Sequence, residues 1–160
     1  MSFVAADLTG DRTEQYRQLA AQAAALVAGE RDRVANAANL SALVFHALPD
    51  VNWVGFYFYD GEELVVGPFQ GKPACVRIAL GKGVCGTAAR SGETQLVPDV
   101  HAFEGHIACD ADTRSEIVVP LFRDGALVGV FDLDSPRPGR FDGIDRAGLE
   151  SVAEIFLAAL

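Results

Sequence analysis

Three cysteines, at positions 75, 85 and 109, and three acids beyond them, Glu116, Asp132 and Asp134, are the residues of this chain best suited to do chemistry. A thiolate can attack, be oxidised and be restored, and a carboxyl can move a proton or hold a cation. An odd number of cysteines argues against a fully paired secreted framework within one chain. Their spacings of 10 and 24 residues fit no common zinc pattern. A zinc site drawn from His101, His106, Cys109 and one more cysteine would be loosely spaced, and no metal is expected. Two readings stay open: inert buried thiols, or a redox set with an attacking and a resolving member. Taken singly, a cysteine is more often a small buried hydrophobe. Cys75 and Cys85 have the apolar neighbours that reading requires, whereas Cys109 sits with Asp110, Asp112 and Arg114.

The acids depend on geometry. Asp132 and Asp134 are two apart on a predicted strand and share one face. Like charges on one face raise at least one pKa or demand a cationic partner. The place of Glu116 depends on the turn at Asp124-Gly125. A two-residue turn pairs Arg123 with Ala126 and sets Glu116 opposite Leu133, on the other face. A three-residue turn with Gly125 at a left-handed bulge pairs Phe122 with Ala126 and sets Glu116 opposite Asp132, where the three carboxylates converge. The alternative is a solvated strand end beside Ser135-Pro136. Trp53 and Tyr57, four apart on an earlier strand, also share a face. They serve either as core aromatics or as a cradle for a methyl-sulfur group or a cation.

The elements that must carry these residues can be read from the pattern. Residues 13–28 are predicted helical, with an Asp11/Glu14 capping box and Gly29 as the stop. A second helix is predicted from about Asp32 to Ala47, with Val34, Ala37, Ala38, Ser41, Ala42 and Phe45 at helical spacing. Strands are predicted over 52–59 and 63–67 around Asp60-Gly61, then over 75–80, 94–97, 116–122 and 126–133. A closing helix spans 142–160 with an apolar face of Leu149, Val152, Ala153, Ile155 and Phe156. Hairpin-linked strands between helices imply an α+β fold with a largely antiparallel sheet. The stretch from Pro98 to Arg114, which holds Cys109, carries little helix or strand signal. A loop of that length in a compact domain is generally functional or mobile.

Bulk composition narrows the class of function. At 17.0 kDa, with half its residues hydrophobic and 22% charged, the chain suits one compact domain burying roughly two-thirds of its unfolded surface. A net charge of −9 opposes a nucleic-acid partner and an anionic membrane surface, and is compatible with a cationic or zwitterionic small ligand. The Ala-rich run at 18–28 follows Asp7, Asp11 and Glu14, where a signal peptide needs positive charge. A cytoplasmic location, with thiols kept reduced, is the expectation.

Gly81-Lys-Gly-Val-Cys-Gly86 fits the spelling of a dinucleotide-binding loop. That reading also needs a following helix and a parallel return strand. Only about Thr87 to Ser91 reads as helical before Gly92, so a structural glycine turn is expected.

The motifs Trp53-Val-Gly-Phe-Tyr57, Gly67-Pro-Phe-Gln-Gly71, Gly81-Lys-Gly-Val-Cys-Gly86, Gly105-His-Ile-Ala-Cys-Asp110, Arg114-Ser-Glu-Ile-Val-Val-Pro120 and Asp132-Leu-Asp-Ser-Pro136 together resemble the free methionine-(R)-sulfoxide reductases. These are small enzymes built on a GAF domain. The likeness runs from about Asp50 to Phe141. It implies one GAF domain over 1–160, with helices at about 13–48, sheet and active-site loops at about 50–135, and a final helix at about 142–160. It implies that Cys109 attacks the sulfoxide sulfur, releases methionine and becomes a sulfenic acid. Cys75 then closes a disulfide, with Cys85 as alternative resolver or relay, and a thioredoxin-type reductant restores the thiols. Glu116, Asp132 and Asp134 hold the substrate's ammonium, and one protonated member, Glu116 or Asp134, donates to the sulfoxide oxygen. Trp53 and Tyr57 shape the methyl-thioether pocket. A homodimer and no bound cofactor are also implied. Asp110 and Asp112 raise the pKa of a neighbouring thiol, so bound ammonium, Arg114 or a backbone amide must compensate. A GAF ligand sensor and a peroxide-sensing thiol protein are the competing readings.

Overall fold

A computed structural model describes residues 3–160. Helix α1 (Arg12–Val27) begins where the Asp11 side chain accepts the backbone N–H of Glu14. The reciprocal half of the expected capping box is absent, because Glu14 instead accepts from Arg17 and Gln18. Asp32 caps α2 (Arg33–Ala47) in the same way. The buried face of α2 is Asn36, Ala37, Leu40, Ser41, Leu43 and Val44. That face is rotated from the predicted stripe, and Val34 is left exposed.

Six strands follow: β1 (Trp53–Tyr59), β2 (Glu63–Gly71), β3 (Arg77–Ala79), β4 (Gln95–Val97), β5 (Ser115–Arg123) and β6 (Ala126–Ser135). They form one sheet in the order β3-β2-β1-β6-β5-β4, and every pairing is antiparallel. β2 runs past the predicted end at Gly67, through Pro68 to Gly71. The strand predicted over 75–80 shrinks to β3, which frees Cys75 into the connection from β2. Helix α3 (Gly83–Ser91) starts inside the glycine motif, four residues earlier than the sequence suggested. Thr87 Oγ1 donates to the Gly83 carbonyl at 2.6 Å within its first turns. Helix α4 (Gly143–Ala158) carries a full capping box between Asp142 and Asp145.

The β5–β6 hairpin departs from both predicted registers. Its turn has two residues, with Asp124 and Gly125 at φ +53° and +79°, and pairs Arg123 with Ala126. Positive φ at both positions is the requirement that an Asp-Gly pair meets. A bulge then intervenes between Leu121 and Phe122 and brings Glu116 opposite Asp134. The extra residue moves Glu116 onto the face of the two aspartates.

Helices α1, α2 and α4 cover one face of the sheet, where Val54, Phe56, Ile117, Val119, Phe131 and Leu133 meet Leu19, Leu40, Leu149 and Phe156. The other face carries a smaller cluster, with Trp53, Tyr57, Val118 and Val130 against Val84, Cys85 and Ala88 of α3. Among the described residues no helix is long and apolar enough to cross a membrane.

Candidate active site

The second face of the sheet sets the three acids in two rows. Trp53, Asp134 and Glu116 lie opposite one another across β1, β6 and β5, and Gly55, Asp132 and Val118 form the next row. The bulged register is what brings Glu116 into this group. Glu116 and Asp132 are buried. Burial, then the charges of Asp132 and Asp134, push the Glu116 carboxyl well above the ordinary carboxylate range. Burial and then Asp132 do the same to Asp134. Burial also raises Asp132, against the lowering pull of hydrogen bonds to Glu116 and Cys85.

No Lys or Arg pairs with these acids among the described residues. The nearest basic group, His106 Nε2, stands 3.9 Å from Glu116 Oε1, and burial followed by His101 lowers its pKa and favours the neutral ring. One oxygen each of Asp132 and Asp134 is buried without a hydrogen-bond partner. Buried carboxylates without a cation are costly, so such a cluster suits a ligand that brings its own positive charge.

Aromatic rings wall the cavity above the acids. Trp53 stacks on Phe69 at 5.1 Å and on Tyr57 at 5.9 Å between ring centroids. Gly55 makes this possible: a Cβ there would strike Phe69 and come within 2.7 Å of the Trp53 indole. Trp53 Nε1 donates to the Lys72 carbonyl at 3.1 Å and the Tyr57 hydroxyl to the Cys75 carbonyl at 3.1 Å. Both rings thereby hold the segment that bears Cys75. Lys82, the first turn of α3 and Ile107 line the same cavity. Its empty volume is about 540 Å³, counting the open mouth.

Two loops meet at that mouth. Cys75, from the β2–β3 connection, and Cys109, from the loop before β5, form a disulfide with Cα atoms 5.8 Å apart. Cys109 is exposed and Cys75 half-buried, while Cys85 remains a free, buried thiol. Cys109 is bonded to Cys75, and His101 Nε2 faces Arg114 at 3.1 Å. The acids beside Cys109 have partners of their own. Lys72 Nζ pairs with Asp112 at 3.0 Å, and the Asn52 amide donates to Asp110 Oδ2 and Thr113 Oγ1, each at 3.2 Å.

Asn52 and Lys72 were not singled out in the sequence. Asn52 left one signal, a polar residue at the head of an apolar strand. Lys72 left none, since it meets Asp112 only after 40 residues of intervening fold.

Comparison with known proteins places this geometry. Residues 32–160 match the GAF domain family. The free methionine-R-sulfoxide reductase of Escherichia coli is 50% identical over 142 residues, which are 89% of this chain and 86% of that protein. Free methionine-R-sulfoxide reductase from Neisseria meningitidis, solved in complex with its substrate, is 44% identical with a TM-score of 0.95, covering 99% of this chain and 95% of that one. The reduced form of fRMsr from Staphylococcus aureus is 51% identical with a TM-score of 0.88, covering 91% and 94%.

Proposed function

The chain belongs to the free methionine-R-sulfoxide reductase family of GAF domains, and from that premise we propose how its own residues reduce free methionine-(R)-sulfoxide to methionine. The observation that carries the proposal is a floor of buried carboxylates without a cation, in a cavity that Cys109, the disulfide partner of Cys75, also lines. A free amino acid supplies the missing charge through its ammonium, whereas methionine inside a polypeptide has none. Glu116, Asp132 and Asp134 receive that ammonium. The first turn of α3 and Lys82, both at the cavity wall, favour the carboxylate, since helix N-termini attract anions. Trp53 and Tyr57 take the methyl-thioether portion.

With the ligand seated, the Cys109 thiolate attacks the sulfoxide sulfur. A protonated carboxyl, Glu116 or Asp134, donates to the departing oxygen, in keeping with their raised pKa. The hydroxyl then passes from the substrate sulfur to Cys109 Sγ as the sulfur–sulfur bond made by the attack breaks, so methionine leaves reduced by two electrons and Cys109 becomes a sulfenic acid. The Cys75 thiol displaces that hydroxyl as water and forms the Cys75–Cys109 disulfide. A thioredoxin-type dithiol then takes up the oxidation by exchange. The electrons come from thiols, so the scheme calls for no cofactor. With this reading go a single GAF domain over 1–160, a homodimer and a cytoplasmic location, where thiols are kept reduced.

The test is formation of methionine from the free (R)-sulfoxide with dithiothreitol as donor. Turnover is expected from the wild-type chain and none from Cys109→Ser. N-acetylated substrate, which lacks the ammonium, is expected to react far more slowly. Equal turnover by Cys109→Ser would overturn the proposal.

A further inference from the structure

Cys85 is the cysteine that the proposed cycle leaves without a task. It lies in the first turn of α3, is 4% exposed, and packs with Trp53, Tyr57, Val84 and Ala88. Its Sγ, a Glu116 oxygen and an Asp132 oxygen all fall within 4.8 Å of one another. Burial first, then Asp132, Glu116 and Asp134, raise its pKa well above the ordinary thiol value. A thiol that keeps its hydrogen is a poor nucleophile but still a donor. Resolution of a sulfenate on Cys109 does not call on it, because Cys75 already reaches that sulfur. Asp132, in contrast, is short of donors. Its Oδ1 is buried without a partner, and Cys85 Sγ lies within 4.8 Å of one of its carboxylate oxygens.

We propose that Cys85 is a positioning residue and not a redox one: its thiol donates to Asp132 and holds that carboxylate as the anionic member of the group, turned toward the substrate's ammonium. No bond to the Cys85 sulfur forms or breaks during turnover. The inference rests on the reading of the acid floor as the ammonium seat, and it separates the three cysteines into an attacking, a resolving and a hydrogen-bonding member.

Two independent arms test it. In the first, steady-state kinetics with dithiothreitol compare Cys85→Ala with Cys85→Ser. Losing one hydrogen bond to a charged group predicts a KM about tenfold higher in Cys85→Ala, with kcat much less affected. The serine hydroxyl can donate in place of the thiol, so Cys85→Ser is expected to recover most of that loss. Thermal midpoints of both variants report on folding. In the second arm Cys85 stays in place, and Cys75→Ser is given one equivalent of substrate. The sulfenate on Cys109 is expected to accumulate and to be trapped by dimedone, with no Cys85–Cys109 disulfide in the peptide map. A Cys85–Cys109 disulfide in that map, or a Cys85→Ser variant as impaired as Cys85→Ala, would overturn the inference. Failure of the broader reductase reading shows elsewhere, in undiminished turnover by Cys109→Ser.

Discussion

The two faces of the central sheet are built from the same strands and have opposite characters. Along β6, Phe131 and Leu133 point into the helical layer and are fully buried among Phe56, Ile117 and Phe156. Asp132 and Asp134, their immediate neighbours, point the other way into a cavity covered by α3 and two loops. Each large apolar side chain on the first face contributes about 1.5–3 kcal/mol by leaving water. Each buried acid on the second face costs free energy until a proton or a cation accompanies it. The pleat thus separates the group that holds the fold from the group to which the proposed cycle gives the ligand, one residue apart in the chain.

The comparison makes predictions that differ in kind as well as size. On the helical face Phe131→Ala is expected to cost about 3–5 kcal/mol of stability, read from chemical denaturation, because the site cannot collapse around so large a loss. On the cavity face Glu116→Gln is expected to leave stability unchanged or slightly higher, since it removes a buried acid from beside two others. Its kcat/KM is expected to fall about 10²-fold, the usual weight of a proton donor. If Glu116→Gln unfolded the protein as Phe131→Ala does, the division between the faces would break.

Stability against pH sharpens the contrast, since the two regions carry acids shifted in opposite directions. Glu116 and Asp134 are raised by burial and like charge, so the folded state binds more protons than the unfolded one. Their contribution is greatest below about pH 4, the ordinary carboxylate range, and is lost as pH rises through the folded-state values. Asp142, at the start of α4 behind the helical layer, is lowered by its bond to Arg12. Its contribution is present above that range and is lost as pH falls through its folded-state value. Unfolding midpoints across pH should therefore show Asp134→Asn flattening the high-pH decline, and Asp142→Asn flattening the low-pH one while keeping a helix cap. The smallest effects are expected at exposed ion pairs. Cutting Arg146–Glu150 on α4 should change stability by less than about 0.5 kcal/mol. Cutting Lys72–Asp112 near Cys109 should leave the midpoint in place and slow turnover.

Much of this division is legible in the order of residues. Alternation along 126–135 puts the two aspartates on one side, and the four-residue interval from Trp53 to Tyr57 does the same for the rings. The register that adds Glu116 is not legible, because it depends on a bulge near Phe122, beyond the turn residues from which a register can be counted. Helix α3 escaped for a related reason. Gly83-Val-Cys-Gly has poor intrinsic helix propensity, and packing of Val84, Cys85 and Ala88 beneath the sheet overrides it. Cysteine spacing could not assign the pairing, since the contact of Cys75 with Cys109 is made by two loops 34 residues apart. The partners of Asp110 and Asp112 were equally hidden, because Asn52, just before β1, and Lys72, just after β2, stand 58 and 40 residues away along the chain.

The Cys75–Cys109 bond closes a loop of 34 residues. In chain-entropy terms a closure of that length disfavours the unfolded ensemble by roughly 4 kcal/mol. Under the proposed cycle this constraint appears and disappears with every turnover. The form awaiting its reductant is the sturdier one, and the form ready for substrate is the softer. Resistance to heat or protease would then read the balance of sulfoxide supply against reducing power, with the chain itself as the gauge.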